Sequence, residues 1–252
     1  MITNVLQWLL DSAARCPEKD AFVEDAGAMP FARVLENVRA IGTAIARVAP
    51  RGPAMICMRK SAAELCAFFG ATHAGCFFVP IDEAMPAERI GKIYGSLRPV
   101  VIVCDARTEA KLSELAPACP VLRYEEAVQT APDPALLAAR MAATLDTDPL
   151  YVFFTSGSTG MPKGVTISHR SVIDYTDWMC DALRLTSDCR IGNQAAFHFD
   201  LSVGDIYPTL KLGATLFLIP RKMFLFPKLM VCYLNEQRID TITWVPSALI
   251  AL

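Results

Sequence analysis

From residue 53 onward, short apolar runs alternate with helix-length amphipathic segments. Ala54 to Met58 is strand-length, and Ser61 to Gly75 is long enough for a helix. Cys76 to Ile81 is a second strand, and Pro86 to Leu97 is amphipathic with a proline near its start. Pro99 to Cys104 (Pro-Val-Val-Ile-Val-Cys) is the clearest strand of all. Alternation at this spacing predicts βαβ units: an α/β fold of mostly parallel sheets flanked by helices. Val5 to Arg15 and Phe31 to Val48 read as helices that precede it.

Residues 105 to 150 carry Pro117, Pro120, Pro132 and Pro134, an Ala-rich helical piece at 135–144, and the polar Asp146-Thr147-Asp148-Pro149. Such punctuation suggests a junction, dividing the chain into 1–145 and 146–252. Beyond it, Ser168 is placed to cap a helix over 169–183. A helix near 201–212, a strand at Ala214 to Ile219, a helix at Pro227 to Gln237 and a strand at Thr241 to Val245 complete the pattern. Trp178 and Trp244 are expected in the core, and His73 and His169 in structural roles.

Composition narrows the class. Over 252 residues, 53% are hydrophobic and 20% charged, which suits sheets buried on both faces. A net charge of −2 gives no electrostatic footprint for nucleic acid or an anionic membrane. Met1-Ile2-Thr3-Asn4 lacks the basic start of a secretory signal, so a soluble, cytoplasmic protein is expected. The nine cysteines are odd in number, form no Cys-x-x-Cys pair and sit mostly in apolar runs (Cys57, Cys66, Cys76, Cys104). They read as reduced core residues with no metal site.

The chemistry concentrates in Thr155-Ser156-Gly157-Ser158-Thr159-Gly160-Met161-Pro162-Lys163-Gly164, between the apolar runs Tyr151–Phe154 and Val165–Ile167. Glycines allow close backbone approach to oxygen atoms, hydroxyls donate hydrogen bonds, and lysine adds a point charge: a polyanion cradle. A Walker loop requires Gly, four residues, then Gly-Lys-Ser/Thr opening a helix. Here Pro162 stands five after Gly157, and strand-like residues follow Lys163-Gly164, so that pattern fails.

Phe154 to Gly164 resembles the phosphate-binding signature of adenylate-forming (AMP-binding) enzymes: acyl- and aryl-CoA ligases, luciferases and nonribosomal peptide synthetase adenylation domains. Ala74-Gly75-Cys76-Phe77-Phe78-Val79-Pro80-Ile81-Asp82 is similar to an upstream motif of the amino-acid-activating branch. Phe199-Asp200-Leu201-Ser202-Val203-Gly204-Asp205-Ile206-Tyr207 is similar to that branch's substrate motif, and also to D-alanine–carrier-protein ligases. The three motifs stand in the family's order, and the resemblance covers residues 60 to 250.

The resemblance implies the N-terminal large domain of that fold, incomplete at its C-terminus. Thr155, Ser156, Gly157, Ser158, Thr159 and Gly160 would fold over the β- and γ-phosphates of ATP, with Gly164 closing the loop. Lys163 would neutralise departing pyrophosphate, with Thr155 and Thr159 beside it and Mg2+ on the nucleotide. Asp200 would pair with a substrate α-ammonium group, and it is also a natural helix N-cap. Phe199, Leu201 and Gly204 would border the acid pocket, Gly204 leaving room for a side chain. The implied product is an aminoacyl-adenylate, passed to a carrier protein's phosphopantetheine thiol. A CoA ligase of the same fold, or a non-catalytic truncated or split piece, is the alternative. No counterpart of the family's adenine- and ribose-binding motifs, or of its small C-terminal domain, lies before Leu252. The 252 residues are therefore expected to need a missing C-terminal part, and to expose apolar surface without it.

Overall fold

The structure is a computed structural model that describes residues 2–155 and 161–250. Its strands are β1 (Asp20–Glu24), β2 (Gly27–Pro30), β3 (Pro53–Met58), β4 (Phe77–Asp82), β5 (Val101–Cys104), β6 (Val121–Arg123), β7 (Pro149–Thr155), β8 (Lys163–Ser168), β9 (Arg190–Asn193), β10 (Thr215–Leu218) and β11 (Thr241–Ile242). Two compact units form. One holds Leu35–Ser171 with the N-terminal segment up to Leu6, and the other Gln7–Val34 with the chain from Val172 onward.

The first unit contains a six-stranded sheet in the order β6-β5-β3-β4-β7-β8. Pairing is parallel except between β7 and the edge strand β8, which form an antiparallel hairpin. Successive residues of a strand face opposite sides of a sheet. On β4, Phe78 stacks on Phe68 of the helix Ala62–His73 with ring centroids 4.5 Å apart. Its neighbour Val79 joins the cluster on the other face, with Met55, Ile102, Val152 and Ile90 and Ile93 of the helix Ala87–Leu97. Both faces are covered, which is why these strands read as unbroken apolar runs.

The motif Ala74–Asp82 is the passage from helix Ala62–His73 into β4. Ser61 caps that helix, its hydroxyl accepting from the Glu64 N–H at 3.3 Å. Gly75, at φ +74°, supplies the left-handed residue that turns the chain into the strand. Pro80 sits inside β4 opposite Ile56, while the pairing with β7 is at Phe78↔Tyr151, short of the proline that has no N–H to give.

Helix Ala62–His73 also meets the helix Phe31–Val48 closely, through Gly42 and Gly70. A methyl group at Gly70 would lie 2.6 Å from Ile41 Cγ2, and one at Gly42 would lie 3.1 Å from the Gly70 carbonyl oxygen. Gly70→Ala is expected to cost about 1–3 kcal/mol by overpacking, read as a lower urea midpoint at unchanged m-value.

The second unit contains a five-stranded sheet in the order β11-β9-β10-β1-β2, parallel except for the β1–β2 hairpin. The helix Val203–Leu212 connects β9 to β10 and ends at Gly213, whose φ is +71°. Its last carbonyls are taken by side chains: the Ser12 hydroxyl donates to Leu210 O at 2.6 Å and Arg15 Nη2 to Leu212 O at 2.9 Å. Pro208, inside this helix, has no N–H, so the helical bond to the Gly204 carbonyl is not made.

The division expected at 145/146 is corrected by this arrangement. β7 and β8 pair into the first sheet, and residues 7–34 join the second unit. β1, β2 and β9 have no counterpart in the sequence pattern. Cys57, Cys66, Cys76 and Cys104 are buried, and none of them is in a disulfide among the described residues. Among the described residues no helix is long and apolar enough to cross a membrane.

Candidate active site

The loop singled out in the sequence falls, along the chain, between the antiparallel partners β7 and β8. Ser156, Gly157, Ser158, Thr159 and Gly160 lie outside the described residues; the flanks are described. Thr155 and Lys163 are register partners, with the Thr155 hydroxyl donating to the Lys163 carbonyl at 3.4 Å. Both are exposed, and Lys163 has no ion pair among the described residues. Gly164 faces Phe154, and a methyl group there would lie 2.8 Å from Val152 Cγ1 and 3.2 Å from Phe154 Cζ. The residue after the lysine is thus a glycine for packing reasons that its place in the loop motif did not reveal.

The hairpin is held at both ends. At the tip, Arg89 Nη2 donates to the Phe154 carbonyl at 3.3 Å, fixing the strand end from which the loop departs. At the base, Arg170 donates twice to Asp146 Oδ2, at 2.8 and 2.6 Å, and Arg51 pairs with Asp148. The His169 N–H bonds the Asp148 carbonyl at 3.2 Å, and Ser168 caps the helix His169–Ala182 through the Ser171 N–H at 3.2 Å. Arg89 lies 65 positions from Phe154, and nothing local in the sequence marks it.

His169 is 2% exposed, and its Nδ1 accepts from the Val5 N–H at 3.3 Å. Burial drives its pKa down to about 4 against the pull of Asp148 and Asp146, with Arg51 adding to the depression. A histidine depressed from 6.5 in the unfolded chain stabilises the fold fully above about pH 6.5 and progressively less as pH falls toward 4. Buried Glu64, raised by burial and by Asp82, has the opposite slope, so a variant must isolate the histidine. Between pH 7 and pH 4.5, His169→Gln is expected to lose about 2–3 kcal/mol less than the unmodified chain in urea titrations. Equal losses in the two proteins would contradict this.

The third motif lies wholly in the second unit. β9 leads through Phe199 into a 3-10 turn, Asp200–Ser202, and then into the helix Val203–Leu212. The two aspartates of the motif differ sharply. Asp205 is fully buried and its Oδ2 accepts from Asn193 Nδ2 at 2.9 Å, tying the helix to β9. Asp200 is exposed; Ser202 occupies the helix N-cap position, and the turn's own cap makes no side-chain bond. Asp200 therefore does not cap, and its carboxylate has no hydrogen bond or ion pair among the described residues. Phe199 is 57% exposed with its ring 4.3 Å from that of His198, and Leu201 is half-buried.

The space expected over Gly204 is filled. A methyl group built there would lie 3.0 Å from Tyr175 Oη and 3.1 Å from Met179 Sδ. Trp178, expected in the core, is 64% exposed, with its ring 5.9 Å from Tyr175. The buried stripe of its helix is Val172, Thr176, Met179 and Cys180, and Trp178 falls off that stripe. Trp244 is buried, its Nε1 donating to Gly192 O at 3.1 Å.

The family model of the AMP-binding enzymes matches residues 9–252. The chain belongs to this family. Among curated AMP-binding relatives, an L-proline–[L-prolyl-carrier protein] ligase of Pseudomonas fluorescens is 30% identical over 97% of this chain and 50% of that protein. A D-alanine–D-alanyl carrier protein ligase of Staphylococcus haemolyticus is 36% identical over 75% of this chain and 36% of its own length. Among solved structures, the nonribosomal peptide synthetase FmoA3 aligns with a TM-score of 0.86 at 25% identity, over 100% of this chain and 26% of that one. The chain thus spans half or less of the length of the relatives it matches. The resemblance in the motifs and the α/β architecture of two mostly parallel sheets agree with this membership.

Proposed function

We propose that this chain carries the pyrophosphate-clamping loop and the amino-group site of an enzyme that activates an amino acid with ATP and passes it to a carrier-protein phosphopantetheine thiol. The observation that carries the amino-acid reading is Asp200: a carboxylate with no hydrogen bond or ion pair among the described residues, at the mouth of a buried helix. Such a carboxylate favours an ammonium group and disfavours a plain fatty or aryl acid. Relatives named as proline– and D-alanine–carrier protein ligases support the same branch.

In this reading the substrate carboxylate, ionised near neutral pH, attacks the α-phosphorus of ATP, and the bond to pyrophosphate breaks. The products are aminoacyl-AMP and pyrophosphate, and no general base is required. The protein's part is alignment and charge stabilisation. Lys163 offers its ammonium group, and Thr155 its hydroxyl, to the departing phosphates. The hairpin's anchors at Asp146, Asp148 and Phe154 hold that end of the chain in place. The donor set suits a polyanion, and Mg2+ would come bound to the nucleotide's own oxygens. Among the described residues no group of three or more His, Cys, Asp or Glu side chains is placed to hold a metal by itself.

ATP–pyrophosphate exchange on the protein expressed from its native reading frame tests the proposal, with amino acids of both chiralities set against plain carboxylic acids. Exchange is expected with an amino acid and not with its desamino analogue. Equal exchange with the desamino acid would overturn the amino-acid assignment.

A further inference from the structure

We infer that Tyr175 is a specificity-determining residue, closing the side-chain end of the acid pocket over Gly204 and restricting the substrate to amino acids with small side chains. This rests on the reading above, in which Asp200 holds the ammonium group and Gly204 borders the same pocket.

Gly204 is four residues after Asp200, so the two lie on one side of the turn that opens the helix. A glycine there would ordinarily leave space for a long substrate side chain. That space is taken by two residues one turn apart on the helix His169–Ala182. Tyr175 Oη lies 3.0 Å, and Met179 Sδ 3.1 Å, from the point a methyl group on Gly204 would occupy. Met179 is 3% exposed and forms the inner wall, whereas Tyr175 is 38% exposed and forms the outer edge. The phenol has no hydrogen bond among the described residues. Burial, then the nearby carboxylates of Asp205 and Asp200, raise its pKa, so it stays a neutral donor within electrostatic reach of the ammonium-binding group. The bulk absent from position 204 is thus supplied from another helix.

Exchange kinetics on the protein from its native reading frame, with glycine, alanine, serine, leucine and phenylalanine, test this. The unmodified protein is expected to favour the three small acids over leucine and phenylalanine by at least about 10-fold in kcat/KM. Tyr175→Ala should move the leucine-to-alanine ratio toward leucine by about 10- to 100-fold, mostly through KM. Tyr175→Phe, which keeps the bulk, should leave the ratio within about threefold. Tyr175→Leu is a second shortened variant that preserves helix propensity if the alanine protein fails to accumulate. A ratio unchanged in a shortened variant that still exchanges with the best small acid would overturn the role of Tyr175 alone. So would an unmodified protein that prefers large acids. Absence of exchange with every amino acid would instead remove the amino-acid reading, and this inference with it.

Discussion

Lys163→Ala is expected to lower amino-acid-dependent pyrophosphate exchange by about two to three orders of magnitude, with the amino acid's half-saturation little changed. The expectation follows from where the lysine sits. It is the first residue of β8, paired across the hairpin with Thr155, exposed, and without an ion pair among the described residues. Its charge serves no partner among those residues, so removing it should leave stability within about 0.5 kcal/mol, as for other exposed positions. In the reaction, negative charge builds on the departing pyrophosphate, and a pre-placed cation there acts on the transition state more than on the bound acid. The loss should therefore fall on kcat and on ATP, and melting curves of the two proteins should superimpose. Undiminished exchange in this variant would remove the phosphate-clamp assignment for the hairpin. Lys163→Arg offers a second reading: charge is kept, but a planar fork replaces a compact ammonium group, so only partial recovery is expected.

How much of this was legible before the structure depended on whether the signal was local. The long elements were legible: Phe31–Val48, Ala62–His73, Ala87–Leu97 and strands β3, β4 and β5 each announce themselves by period and by length. β9 did not, because Arg190-Ile191-Gly192-Asn193 has a single large apolar residue. It is a strand because its neighbours make it one: β10 and β11 pair along it, Arg190 lies over the Phe217 ring at 4.5 Å, and Asn193 binds buried Asp205. β1 and β2 are short, and β1 carries Asp20 and Glu24 at its ends, so its apolar core of Ala21-Phe22-Val23 is too brief to register. The subdomain boundary failed for a related reason. Prolines near 117–134 signalled a break, but membership of a sheet is decided by pairing partners, and β7 pairs with β4. The motifs likewise named candidate residues in each unit without their surroundings. Thr155, Lys163 and Asp200 could be named from order and spacing. Arg89, reaching Phe154 across 65 positions, and Tyr175, reaching Gly204 from another helix, are long-range placements with no local trace.

Asp200→Asn is expected to reduce kcat/KM for the amino acid by about 100-fold or more, while reducing that for the matching desamino acid far less. Removing one member of a desolvated charge pair costs about 2–5 kcal/mol, mostly because the other charge is left unpaired. Here the charge left unpaired would be the substrate's own ammonium group, so only a substrate that has one should suffer. The comparison forms a cycle, side chain against substrate amine, and its coupling term separates recognition from any general damage to the turn. The competing role for this aspartate, a helix cap, makes the reverse prediction: about 1 kcal/mol of stability lost and equal effects on both acids. The structure favours the first outcome, because Ser202 occupies the cap position and Asp200 makes no capping bond. Asp205, three residues into the helix and fully buried against Asn193, should behave in the opposite way. Asp205→Ala should destabilise the fold by about 1–3 kcal/mol, because the buried Asn193 amide loses the carboxylate it donates to, without discriminating between the two acids. Equal loss on both acids in the Asp200 variant would assign the two aspartates the same structural task and leave the ammonium group without a partner.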